Sequence, residues 1–223
     1  MDQLIEFAPF LEHMIKSVPW LIEGLKYTFI ITILGVAIGF VIGAFAGLGR
    51  ISKNKFIYGL STVYVEIIRG TPILVQILFI YFGLSDLFGL NIDKITASVI
   101  AIAVNAGAYI AEIVRGGVQS IDKGQFEAGD SIGLTKNQTM WYIIWPQAFR
   151  RMIPPLGNQF IISLKDTSLF SAIAVGELVY QGKAYTAASF SYFGPYLMVA
   201  LFYLAITIPA SIILRRLEKR LDV

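Results

Sequence analysis

The chain has no cysteine and a single histidine, His13. Without thiols there is no disulfide, no thiolate metal site and no cysteine nucleophile. With one imidazole, near the N-terminus, a histidine-built metal or catalytic centre within one chain is not expected. Charge is sparse: Asp, Glu, Lys and Arg make up 15% of the 223 residues, and the formal net charge is +3. That is no footprint for a nucleic-acid partner. The first residues, MDQLIEFAPF, carry acids where a secretory signal peptide carries a positive segment, so no removable signal is expected. The phosphate-cradling pattern GxxxxGK[ST] is missing, and with it that way of binding ATP. Low-complexity segments and strong internal repeats are also missing, so residues 1–223 read as one integral domain.

What the chain has in excess is apolar surface. Hydrophobic residues reach 56%, against about 45–50% for a soluble domain, and the mean hydropathy is +0.69. The excess falls in long runs able to cross the roughly 30 Å hydrocarbon core. Five spanning helices are expected, at 25–48, 56–82, 95–114, 155–179 and 195–214, giving an all-α polytopic membrane protein. The first carries Gly35, Gly39, Gly43 and Gly47 at a spacing of four, a face that lets helix backbones approach closely. The fourth is the weakest, because Asn158, Gln159, Lys165, Asp166 and Glu177 interrupt it. Pro209 is expected to kink the fifth.

Lysine and arginine alternate between loops. Arg50, Lys53 and Lys55 follow the first span, and Asp86, Asp93 and Lys94 the second. Arg115, Lys123, Lys136, Arg150 and Arg151 follow the third, Lys183 alone the fourth, and Arg215, Arg216, Lys219 and Arg220 the fifth. Cationic loops mark the cytoplasmic side. The N-terminus is therefore expected outside and the C-terminus inside a cell membrane, which requires an odd number of spans. Before the first span, Leu4, Phe7, Leu11, Met14 or Ile15, and Val18 recur at helical spacing, with Glu6, Glu12 and Lys16 between them. Residues 1–20 read as an amphipathic lead-in lying on the outer surface.

Charges inside a bilayer are costly and normally face protein or water. With a rise of about 1.5 Å per residue, Glu66, Arg69, Asn105, Lys165 and Asp166 fall near the midplane, the depth at which transporters hold their solute. Glu66 and Arg69 share a helix face, and Pro72 cannot donate to the carbonyl of Ile68. EIIRGTP, with Thr71, thus combines two charges and a freed acceptor. SLKDTS, with Lys165, Asp166 and Thr167, is as dense in donors and acceptors. A zwitterion needs a cation for its carboxylate and a carboxylate for its ammonium. The same residues could instead be ion pairs that hold the bundle together. Glu112 and Arg115 read as a boundary pair.

The loop at 115–152 is too long for a bare connection and has helical character of its own. QFEAGDSIGL (125–134) is amphipathic, too short to span, and suited to docking on a partner or on the membrane. The run EAGDSIGLTKNQTMWYIIWP (127–146) resembles the loop signature of ABC importer permeases. Glu127, Ala128, Gly133, Ile143 and Pro146 match in register, while Gly129 and Trp145 depart from it. EIIRGTPILVQ, AYIAEIVRGGVQSIDKGQ, PQAFRRMIPPLGNQF and LKDTSL resemble the polar amino-acid permeases of the histidine, glutamine and arginine uptake type.

That resemblance implies a type I importer permease that translocates a polar or charged amino acid by alternating access. It implies a coupling helix with Glu127, Ala128 and Gly133 toward a separate cytoplasmic ABC ATPase, which carries ATP and Mg while this chain carries no cofactor and is no enzyme. It further implies a second permease copy or paralogue, an extracytoplasmic solute-binding protein, and surrounding lipid. The alternative expectation is an ion-coupled secondary transporter using Glu66 and Asp166.

Overall fold

A computed structural model describes residues 2–221, with side chains from residue 10 onward. It is helical throughout, with no strand among the described residues. Helix α1 runs over Asp2–Arg50, α2 over Lys55–Arg69, α3 over Ile73–Phe88 and α4 over Lys94–Gln119. The short α5 (Lys123–Ser131) and α6 (Lys136–Thr139) lead through a π-helical turn at Met140–Ile144 into α7 (Trp145–Asp166). A 3₁₀ segment, Thr167–Ile173, precedes α8 (Leu178–Ser189) and α9 (Phe193–Leu221).

The five expected spans are not all found. Among the described residues, three helices are long and apolar enough to cross a membrane: Phe10–Arg50 within α1, then α4 and α9. They become up to four if the bent pair α2 and α3 counts as one. The expected second span is broken at Gly70–Pro72, because Pro72 lacks the donor that would continue α2. The expected fourth span is cut at Asp166, where α7 gives way to the 3₁₀ segment. In its place α7 begins ten residues earlier than expected and runs through Pro154 and Pro155. The lead-in is no separate helix: it continues without a break into the first span. Leu4, Glu6 and Phe7, part of its expected pattern, lie outside the described side chains.

The helices contribute to two compact units. One gathers residues 1–35, 72–102 and 161–210, the other 36–71, 103–160 and 211–223.

In the first unit, Leu21, Leu178 and Val199 form a buried core bordered by Met198, Phe202 and Tyr203. Gly182 lies against Val199, at 2.6 Å from the place of a Cβ. His13 Nδ1 lies 3.0 Å from Tyr185 Oη, and Trp20 meets the Tyr185 ring edge-on.

In the second unit, α1 packs on α4 along the glycine row. A Cβ on Gly43 would fall 2.6 Å from Ile110 and 2.7 Å from the Gly107 carbonyl, one on Gly47 2.6 Å from Val114, and one on Gly39 2.9 Å from the Ala103 carbonyl. The glycine face is therefore used within the chain. Tyr64 of α2 donates to the Val104 carbonyl of α4 at 2.7 Å.

Candidate functional site

Glu66 and Arg69 share a face of α2 but bind different partners. Arg50 Nη1, at the end of α1, donates to Glu66 Oε1 at 3.2 Å. Arg69 lies 3.9 Å from Glu112 Oε2 and 5.3 Å above the Tyr109 ring. Glu112, on α4, also accepts from Arg115 Nε at 2.9 Å and stands 3.6 Å from Arg50 Nη1. Three guanidiniums and two carboxylates thus form one cluster in the second unit, with a surplus of one positive charge. The boundary pair expected at Glu112 and Arg115 is present, but as the centre of this larger network. Nothing in the local spacing reveals Arg50, which lies 16 residues from Glu66 and reaches it through the α1–α2 turn.

The carbonyl freed by Pro72 is not vacant. Thr71 donates to it from its backbone amide and its hydroxyl, both at 3.4 Å, and its hydroxyl also reaches Ile67 O at 3.0 Å. Thr71 thereby ends α2 in place of the missing proline donor. Asn105 is buried in α4 and belongs to the same unit.

Lys165, Asp166 and Thr167 lie in the first unit at the end of α7, not in mid-helix as expected. Lys165 is exposed and Asp166 half-buried, while Thr167 is fully buried and donates to Leu164 O at 2.7 Å. Close in sequence stands a residue read only as a blemish in the fourth span. Glu177 is completely buried and caps α8, accepting from Val179 N at 2.9 Å and Tyr180 N at 2.7 Å. Next to it, Leu178 N donates to Thr28 Oγ1 at 3.2 Å, and Gly24 leaves room for the Glu177 backbone. A carboxylate just before a helix, with amides two and three residues on, is an N-cap signal that its place inside an apolar run concealed.

The segment 125–134 contains most of α5, which starts two residues earlier. Asp122 caps it by accepting from Gly124 N at 2.7 Å. Its C-terminus closes as a Schellman motif: Leu134 N donates to Gly129 O at 3.0 Å and Gly133 N to Asp130 O at 3.1 Å. Gly133 sits at φ +81°, in the left-handed region that a Cβ disfavours. Beyond its chain neighbours, no atom of the described residues comes within 4 Å of that Cβ, so the glycine serves the turn and not an internal close approach. Gly129 is buried, and a Cβ there would meet the Thr139 side chain at 2.5 Å. The departure from alanine thus lets α5 lie close on α6 and does not loosen the turn. Glu127, Ala128 and Ile132 face outward, with Ile132 73% exposed. An outward isoleucine and an acid with no ion pair to any described residue make a surface suited to a protein partner.

A helix broken by proline, a cluster of charges on its last turn, long apolar helices, and a short exposed helix between α4 and α7 in sequence are features suited to the membrane subunit of a transport system. Residues 39–223 match the family described as binding-protein-dependent transport system inner membrane component, and the chain belongs to that family. It is 51% identical over 208 residues to the glutamine transport system permease protein GlnP of Escherichia coli (strain K12), covering 93% of this chain and 95% of that one. It is 41% identical over 200 residues to the probable glutamine ABC transporter permease protein GlnM of Bacillus subtilis (strain 168), covering 90% and 92%. Among solved structures it resembles an amino acid ABC transporter crystallised with histidines. The TM-score is 0.90 at 43% identity, over 95% of this chain and 98% of that one. The chain is thus a permease subunit and not an enzyme, and the reading as an ion-coupled secondary transporter has no support.

Proposed function

We infer that the solute of this permease is a polar amino acid, glutamine foremost. The chain is the transmembrane subunit of an ATP-driven amino-acid importer and works by alternating access. The observation that carries the solute is the 51% identity to a glutamine permease over nearly the whole chain. Cytoplasmic ABC ATPase subunits bind and hydrolyse ATP with Mg. A second permease copy or a paralogue completes the membrane part, and an extracytoplasmic binding protein delivers the solute. The N-terminus lies outside and the C-terminus in the cytoplasm, as the cationic loops direct.

Helix α5 is the coupling helix. Its outward Glu127, Ala128 and Ile132 meet the ATPase, and Gly133 sets the turn that presents them. At the end of α7, Lys165 and Asp166 contact the charged α-groups of the solute, with Thr167 supporting their backbone. Within the second unit, Glu66, Arg69, Thr71 and Asn105 are a separate set of candidate solute contacts; for Glu66 and Arg69 this role requires exchange with their present partners, Arg50 and Glu112.

The test is solute binding and solute-stimulated ATP hydrolysis by the purified complex across a panel of amino acids. Glutamine should give the strongest response. An Asp166→Asn variant that assembles normally should bind it more weakly by about tenfold, the loss of one charge-assisted hydrogen bond. Unaltered affinity in that variant removes Asp166 from the site, and a response to apolar amino acids alone overturns the solute class.

A further inference from the structure

The 3₁₀ segment Thr167–Ile173 is seven residues long, whereas such helices rarely exceed three or four. Its side chains are sorted with a period of three. Thr167, Phe170 and Ile173 are buried. Leu169 and Ala172 are exposed. The third row is Ser168, Ser171 and Ala174. A period of three is what a 3₁₀ helix needs, since residues i and i+3 eclipse. As an α-helix the same stretch would turn 100° per residue in place of 120°. Over the six steps from Thr167, Ile173 would swing about 120° out of the row, and the axis would shorten by about 3 Å.

Two lysines grip the third row. Lys94, the first residue of α4, donates from Nζ to the Ala174 carbonyl at 2.6 Å. Lys183, from α8, donates to Ser171 Oγ at 2.9 Å. Ala174 itself stands at φ +56°, a left-handed conformation that alanine adopts only where its surroundings impose it. Both lysine contacts are exposed to solvent, so they can be released without leaving a buried charge. Lys94 and Lys183 come from two elements on either side of the segment in sequence, and Lys165 and Asp166 directly precede it.

We propose that Lys94 and Lys183 are positioning residues that hold Thr167–Ala174 in its 3₁₀ register, and that release of this grip lets the segment shorten toward an α-helix and re-aims Lys165 and Asp166 during the transport cycle. The proposal rests on the reading of Lys165 and Asp166 as solute contacts, but the helical change can be measured without it. Lys94 and Lys183 touch no solute in this scheme. They act through the backbone that carries those that do.

The absence of cysteine allows a direct test in the assembled importer. Spin labels at Ile162→Cys and Ala187→Cys, both exposed and on opposite sides of the segment in sequence, report the separation of α7 and α8. In the nucleotide-free complex one distance is expected. On trapping with ATP and vanadate, or in Lys94→Met and Lys183→Met, a second population should appear with a separation altered by about 3 Å. The methionine variants should assemble and keep their unstimulated ATPase rate but lose about tenfold in solute-stimulated transport, while Lys94→Arg keeps most of it. One unchanged distance in every state, or transport undiminished in both methionine variants, overturns the grip. A changed distance with unaltered solute affinity in Asp166→Asn would instead retain the grip and discard the solute site it was proposed to aim.

Discussion

Glu112 Oε2 lies 3.6 Å from Nη1 of Arg50, the last residue of α1. The side chain of Arg50 is only 11% exposed, and that of Glu112 22%. Glu66, the other acid in the cluster, is 66% exposed. The two carboxylates therefore do unequal work although both face arginine. Glu112 faces three guanidiniums, Arg50, Arg69 and Arg115, from a site largely screened from water, whereas Glu66 holds Arg50 alone from an exposed position, where a pair contributes about 0–1 kcal/mol.

Glu112→Gln should accordingly destabilise the permease by about 2 kcal/mol, below the 3–5 kcal/mol of a fully buried pair because water still reaches the site. Glu66→Gln should cost less than 1 kcal/mol. Thermal unfolding of the two variants in one detergent makes the comparison. Equal losses would show that the cluster has no centre at Glu112.

Two glycines in helices should respond oppositely to alanine. At Gly43 the added Cβ meets Ile110 and the Gly107 carbonyl, so α1 and α4 must separate at a cost of about 1–3 kcal/mol. At Gly59, in α2, the Cβ meets nothing within 4 Å, and alanine should stabilise by about 0.5–1 kcal/mol through helix propensity. Apparent melting temperatures of Gly43→Ala and Gly59→Ala should shift in opposite directions.

The spacing of Gly35, Gly39, Gly43 and Gly47 announces a close helix contact in the sequence, because four-residue periodicity is local. The third and fifth spans are legible for the same reason: apolar runs name their own helices, and α4 and α9 start within two residues of the expected bounds and run five and seven residues past their expected ends. The break at Gly70–Pro72 leaves a local mark too, yet hydropathy carries straight across it and hides the interruption. Partners of charged residues are not local. Glu66 and Arg69 look like each other's partners until Arg50 and Glu112 are brought in from other helices. Of the candidate site, the residue types could be read from the sequence, and their burial and partners could not. The cap at Glu177 and the three-residue period from Thr167 to Ile173 were both written in the sequence, but inside a run whose hydropathy suggested an unbroken span.

The turn after α5 gives a prediction about coupling. Left-handed backbone costs a residue with a Cβ about 1–2 kcal/mol, and asparagine tolerates it better than alanine. Gly133→Ala should therefore weaken retention of the ATPase in pull-down more than Gly133→Asn, with the permease still inserted. Equal retention by both variants and the parent chain would separate this turn from ATPase docking.

The most direct measurement is accumulation of labelled glutamine in proteoliposomes that contain the permease with its ATPase subunits, supplied with the solute-binding protein. Uptake should require the ATPase and ATP on its side of the membrane, and dissipating ion gradients should leave it unchanged. Uptake driven by an ion gradient without ATP, or failure to accumulate any polar amino acid with all subunits present, would contradict the account.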